Sequence, residues 1–230
     1  MAVLDTDRAA MLRDLQRIRD LPENGGNISY MPKDLTDHIE LSSGKFLNLA
    51  DPDPADVTLD AVAHGLAHTC RYAGQASGFY SVAEHACLVV LHLYEGGHDE
   101  TVQWLGLHHD DAEAFVGDVS RPLKALLPEY KDIEERVFTA IDYGLGLGIG
   151  PGMPTDFAPV KEADNWALSA EAYRLLPSGG ASWFSAGLYD PDSLIYSLPS
   201  LGKRPDAAKA EWLQQHKRLK SQIQRNGDAF

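Results

Sequence analysis

A metal-ligand pattern is concentrated in one short stretch of the chain. His109 and Asp110 set an imidazole beside a carboxylate, and Glu113 follows His109 by four residues, one turn along the same face of a helix spanning roughly 100–115. His85, in Ser81-Val82-Ala83-Glu84-His85, and Asp164, in Lys161-Glu162-Ala163-Asp164, supply a second imidazole and a second carboxylate from separate helical segments. Such a mixed nitrogen and oxygen set suits one divalent transition metal (Mn, Co, Zn, Fe or Ni). It is a poor match for Mg or Ca, which prefer all-oxygen shells. Four protein ligands on a six-coordinate ion leave room for water and a substrate oxygen, and the ion would polarise a phosphoryl group and acidify that water. That chemistry is hydrolysis.

Taken singly, each residue also has an ordinary reading. His85 lies just after a capping box made by Ser81 and Glu84, Asp110 and Asp111 could be solvated acids, and Asp164 could be a first-turn carboxylate favoured by the helix dipole. His108 lies about 100° around the helix from His109 and reads as a packing or surface residue outside the site. It is the combination and its spacing that carry the functional reading.

Over residues 40–175 the chain resembles the HD-domain metal-dependent phosphohydrolases. The likeness is carried by Ser43-Gly44-Lys45 with Asp51-Pro52 and the stretch Ala61 to Leu66; by Arg71-Tyr72 with Phe79 to His85; by His109-Asp110-Asp111-Ala112-Glu113-Ala114 with Gly117-Asp118 and Arg121-Pro122-Leu123-Lys124; and by Lys161 to Asp164. The combination is similar to the compact branch that includes 5′-deoxynucleotidases and phage deoxyadenosine-triphosphate triphosphohydrolases. The resemblance implies that His85, His109, Asp110 and Asp164 hold the metal and that Glu113 and Asp118 form the acid/base pair around the attacking water. It further implies that Arg71 and Lys124 grip phosphate, with Tyr72 against the sugar or base. Ala114 stands where the guanosine-tetraphosphate hydrolases carry an acid, which disfavours that branch.

The residue chemistry itself allows these roles. Arg71 suits bidentate phosphate contact, Lys124 acts as a point charge, and either Glu113 or Asp118 could serve as general base. The leading expectation is a metal-dependent phosphohydrolase acting on deoxynucleotides, deoxyadenine nucleotides such as dATP in particular. A dinucleotide phosphodiesterase would need a second metal, for which His64 and His68 at i, i+4 spacing are the available residues. A non-catalytic nucleotide or metal sensor would have no need of Glu113 and Asp118.

Helical periodicity dominates the positioning elements, so the fold class is mainly α, a compact helical bundle with few or no strands. The spacing predicts an N-terminal helical arm over 1–27, a core over 28–176, and a C-terminal part over 177–230. That last part comprises a loop excursion rich in Ser, Gly and Pro and a polar helix from Pro205 packed on the same domain. Within the core, Thr58 caps a helix with Leu59, Val62, Ala63, Leu66 and Cys70 on its apolar face, and Ile133, Val137 and Ile141 stripe another over 128–143. Gly144 to Gly150 alternates glycine with aliphatic residues but follows no strand and opens no Walker-type helix. It reads as a helix terminator and loop.

A net charge of −14 argues against a nucleic-acid binder, because duplex affinity rests on Lys and Arg at phosphates. A small-molecule nucleotide remains compatible, since a metal and a few local cations can reverse the field inside a pocket. No apolar run reaches the roughly 18–20 residues of a membrane span, and the first residues lack a signal peptide's apolar core. Cys70 and Cys87, the two cysteines, read as reduced packing residues, which fits a cytoplasmic protein. The resemblance implies a homo-oligomer.

Overall fold

The local capping chemistry explains where the helices start. In the computed structural model, which describes residues 37–150, 152, 154–181 and 200–227, Thr58 accepts the Ala61 N–H at 3.2 Å and starts α1 (Leu59–His68). Ser81 accepts the Glu84 N–H and starts α2 (Val82–Glu95), and Asp99 does the same through Val102 for α3 (Glu100–Leu107). Then follow the short α4 (Glu113–Val116) and α5 (Arg121–Lys124), the longer α6 (Tyr130–Leu145) and α7 (Ala158–Leu175), and α8 (Pro205–Asn226). A two-stranded antiparallel hairpin, β1 (His38–Glu40) and β2 (Phe46–Asn48), pairs Ile39 with Leu47. The architecture is mainly α, as the periodicity predicts. The expected arm over 1–27, residues 28–36, and residues 182–199 of the expected excursion lie outside the described residues.

The bundle is organised around α2, which is buried along most of its length and packs against α1, α3, α7 and α8. Trp104, Trp212, Leu66, Phe138 and Ile141 are among the core residues that these helices bury. Among the described residues no helix is long and apolar enough to cross a membrane.

Four local expectations are corrected. The Ser81/Glu84 capping box is only half formed, because the Glu84 carboxylate accepts the Gly202 and Lys203 N–H groups at 2.9 and 3.0 Å and so ties the chain before α8 to α2. The helix expected over 100–115 stops at Leu107. The Gly106 carbonyl accepts from the His109 ring at 2.7 Å, and the N–H groups of Asp111, Glu113 and Ala114 turn to carbonyls three residues back. Cys70 lies beyond the end of α1 and is only partly buried, whereas Cys87 is buried; both are free. The C-terminal helix is not merely polar. It buries Trp212, His216, Leu219 and Ile223, while Lys209 pairs with Asp60 at 2.7 Å and Arg218 donates to Gln103 at 3.0 Å.

His108 sits in the core that α8 completes. Its Nδ1 is 2.6 Å from Asp111 Oδ2 and its Nε2 is 3.2 Å from His216 Nδ1, with Trp104 and Trp212 edge-on to its ring. Burial, His108 and Lys220 push the His216 imidazole down to about 3.

Two glycines are required by close approach. Gly144 lies inside α6, where a Cβ would stand 2.5 Å from the Pro54 carbonyl oxygen. The expected glycine-rich loop therefore begins later, at left-handed Gly146. Gly65 of α1 packs its bare backbone on the Ala114 carbonyl of α4, the segment that carries Glu113. Gly65→Ala should lower the unfolding free energy by about 1–3 kcal/mol, read as a shifted urea midpoint at unchanged slope; wild-type stability would refute this contact.

Candidate metal centre

Three elements bring three donors together. His85 comes from the first turn of α2, His109 from the turn that interrupts α3 and α4, and Asp164 from the second turn of α7. His85 Nε2 lies 3.2 Å from His109 Nε2 and 3.2 Å from Asp164 Oδ1, and one donor atom of each residue falls within 4.8 Å of the others. These three residues could hold a metal ion. Asp110 borders the group, with Oδ2 3.1 Å from His109 Nε2 and 3.6 Å from His85 Nε2, and it also faces Arg71 Nη1 at 3.6 Å.

The orientation of the two rings fits a cation. His85 Nδ1 donates to Glu171 Oε1 at 2.6 Å, and His109 Nδ1 donates to the Gly106 carbonyl. With the hydrogens on Nδ1, both Nε2 lone pairs converge on one point, an arrangement that a shared positive charge reconciles. The surrounding charge points the same way. Burial and Arg71 oppose a charge on His85, yet Glu171 and the bond to Asp164 outweigh them and push the imidazole up to about 10. Burial would raise Asp110 and Asp164, but His109 and His85 respectively hold them below the usual carboxylate range. The donor set of two nitrogens and carboxylate oxygen matches borderline divalent ions and identifies none of them.

A cavity of about 630 Å³ opens beside this group. Asp110 and Asp164 form its metal-side wall, and Arg71, Tyr72, Glu113, Asp118 and Lys124 also line it, with His85 and His109 fully buried behind. Glu113 is almost completely buried. Burial first, then Asp110 and Asp118, pushes its carboxyl well above the usual range, and its Oε2 has no hydrogen-bond partner among the described residues. Its Oε1 lies 3.4 Å from Lys124 Nζ, which also holds Glu134 at 2.8 Å. A buried carboxyl that keeps its proton beside a cation is suited to acid/base work.

Arg71 and Tyr72 are held more tightly than their residue types suggest. The Arg71 guanidinium is buried between Glu171, at 3.3 Å from Nε, and Asp110, so it meets the cavity already engaged by two carboxylates. Tyr72 donates its N–H to Asp118 at 3.3 Å and its hydroxyl to Glu171 at 2.5 Å. Tyr72 and Ala73 both adopt left-handed backbone, at φ 59° and 50°, which costs of order 1–3 kcal/mol each and persists only where the surroundings enforce it.

Glu171 was not identifiable as a site residue from the sequence pattern. It lies seven residues after Asp164, two turns along the same face of α7, and that spacing is the one signal for it. His64 and His68 do not join the centre. They stack on each other at 4.0 Å on α1, and His68 Nδ1 bonds the His64 carbonyl. The Gly146 to Gly150 segment closes on its own helix, with the Asp142 carboxylate accepting the Ile149 and Gly150 N–H groups at 3.0 Å.

No family model matches the chain. It is 36% identical over 145 residues to the uncharacterized protein YfdR of Escherichia coli (strain K12), an alignment covering 63% of this chain and 76% of YfdR. It is 35% identical over 138 residues to an uncharacterized protein of Rhodobacter capsulatus, covering 58% and 70%. The chain belongs to the same family as YfdR. Removing a ligand should empty the centre: Asp164→Ala and His109→Ala should each weaken Co²⁺ or Mn²⁺ binding roughly tenfold or more in equilibrium dialysis, and undiminished binding would displace the site from these residues.

Proposed function

We propose that this protein is a metal-dependent phosphohydrolase that removes phosphate from deoxynucleotides, deoxyadenine nucleotides such as dATP foremost. The observation that carries the reading is the convergence, on one cavity, of the His85/His109/Asp164 group, the buried carboxyl of Glu113 and the Lys124 ammonium. The cavity's volume is that of a small-molecule site. His85, His109 and Asp164, with Asp110 at the border, would hold the ion, which supplies polarisation of the phosphoryl group and acidification of water.

The chain's own residues supply the rest. Lys124 offsets phosphate charge at the cavity wall, and Arg71, fixed by Glu171 and Asp110, presents its remaining N–H groups there. Tyr72 gives the sugar or base an aromatic wall, with Leu168 and Leu176 continuing it. Glu113 holds a proton at its cavity-side carboxyl and exchanges it with the reacting oxygens, while Asp118, anchored by the Tyr72 N–H, is the second carboxylate within the cavity. Phosphoryl transfer asks for positioning and charge neutralisation more than covalent chemistry, and these are the groups assembled. The same reading takes the protein as a cytoplasmic homo-oligomer whose partner is a small nucleotide. Free cysteines and the acidic surface support the compartment and the exclusion of nucleic acid.

Product analysis after separate incubation with dATP and dAMP, with Mn²⁺ or Co²⁺ present, tests this. Deoxyadenosine with intact triphosphate marks a triphosphohydrolase, and phosphate from dAMP alone marks a 5′-deoxynucleotidase. Metal-loaded protein silent on both would overturn the proposal. Glu113→Ala should lower turnover by roughly a hundred- to ten-thousand-fold while metal content is kept, and unchanged turnover would remove Glu113 from the chemistry.

A further inference from the structure

We infer that Glu171 is a positioning residue through which metal binding and nucleotide binding assist one another. The carboxylate has no exposed surface and accepts four hydrogen bonds, divided by oxygen. Oε1 takes His85 Nδ1 at 2.6 Å and the Tyr80 hydroxyl at 3.0 Å. Oε2 takes the Tyr72 hydroxyl at 2.5 Å and Arg71 Nε at 3.3 Å. One oxygen therefore orients an imidazole of the metal centre, and the other seats two side chains that line the cavity. Tyr80 is fully buried and pins the carboxylate from the core side, so Glu171 has no solvent with which to replace a lost donor.

The consequence is linkage. An ion that fixes His85 Nε2 holds Nδ1 on Oε1, which in turn holds Oε2 where Arg71 and Tyr72 need it. A nucleotide that engages Arg71 and Tyr72 restrains the same carboxylate from the other side. Coupling of this kind is reciprocal in the two affinities. It is also specific to a carboxylate. A glutamine in its place presents one acceptor and one donor, and since all four neighbours donate, one of the two sets is lost. The identity of the second ligand rests on the proposed function; the orientation of His85 does not.

Calorimetric Co²⁺ titration with and without dAMP, in a turnover-blocked Glu113→Ala background, tests the linkage. With Glu171 present, dAMP should tighten Co²⁺ binding at least about fivefold. Tyr72→Phe, which removes a donor from Oε2, should reduce that factor. Glu171→Gln should weaken Co²⁺ binding roughly ten- to a hundredfold and abolish the dAMP effect, with the thermal unfolding of EDTA-treated protein showing that the fold is retained. Absence of a dAMP effect with Glu171 intact overturns the linkage, whatever the hydrolysis assays give. Native Co²⁺ affinity in a folded Glu171→Gln protein overturns the positioning role. The nucleotide reading itself is judged separately, by hydrolysis with the unmodified protein.

Discussion

A carboxylate with no access to water is stable only where donors surround it, and Glu171 meets that condition in full. Burial would drive its carboxyl up, but His85 and Arg71 hold it below the usual range, and the Tyr72 and Tyr80 hydroxyls complete its shell. Each partner is then fixed by the same requirement. His85 must turn Nδ1 inward and so presents Nε2 to His109 and Asp164. Arg71 must keep its Nε on the α7 carboxylate instead of reaching into solvent. Tyr72 must fold back, which its left-handed backbone accommodates. The His85/His109/Asp164 group and one wall of the cavity are thus two sides of a single buried charge network.

The interruption of α3 has a comparable standing. A continuous helix through residue 115 would set His109 and Glu113 on one face of a straight rod. The turn instead drops His109 into the centre, with its ring hydrogen on the Gly106 carbonyl, and restarts as α4 with Glu113 at the cavity. The backbone leaves the helical ladder here through bonds to carbonyls three residues back, and side chains brace the turn. His108 and Asp111 bond each other, and His216 of α8 closes the chain of contacts from the opposite side. The C-terminal helix, far from the ligands in sequence, supports the turn that carries them.

Much of this was legible locally. Thr58 and Ser81 are N-caps whose partners are three residues away, so their role follows from sequence spacing alone. The apolar period of α1 and α6 and the glycine stop after α6 are likewise local. The His and Asp residues that could bind metal stood out because their types are chemically restrictive. Glu171 did not, since a lone acid within a helix has no local mark of burial. The buried face of α8 was obscured by the basic residues interleaved with Trp212, His216 and Leu219.

The sequence by itself determined the mainly helical architecture, the cap positions and the residue types able to hold a metal, because those depend on contacts within a turn or two and on side-chain chemistry. Only the tertiary structure decided which way the rings point, where the central helix breaks, and that Arg71 and Tyr72 answer to a carboxylate 100 and 99 positions further along the chain, respectively. Those outcomes follow from burying charge. The stability of an ionised group in a water-free interior depends on every donor that surrounds it, and here those donors come from segments that sequence distance keeps apart.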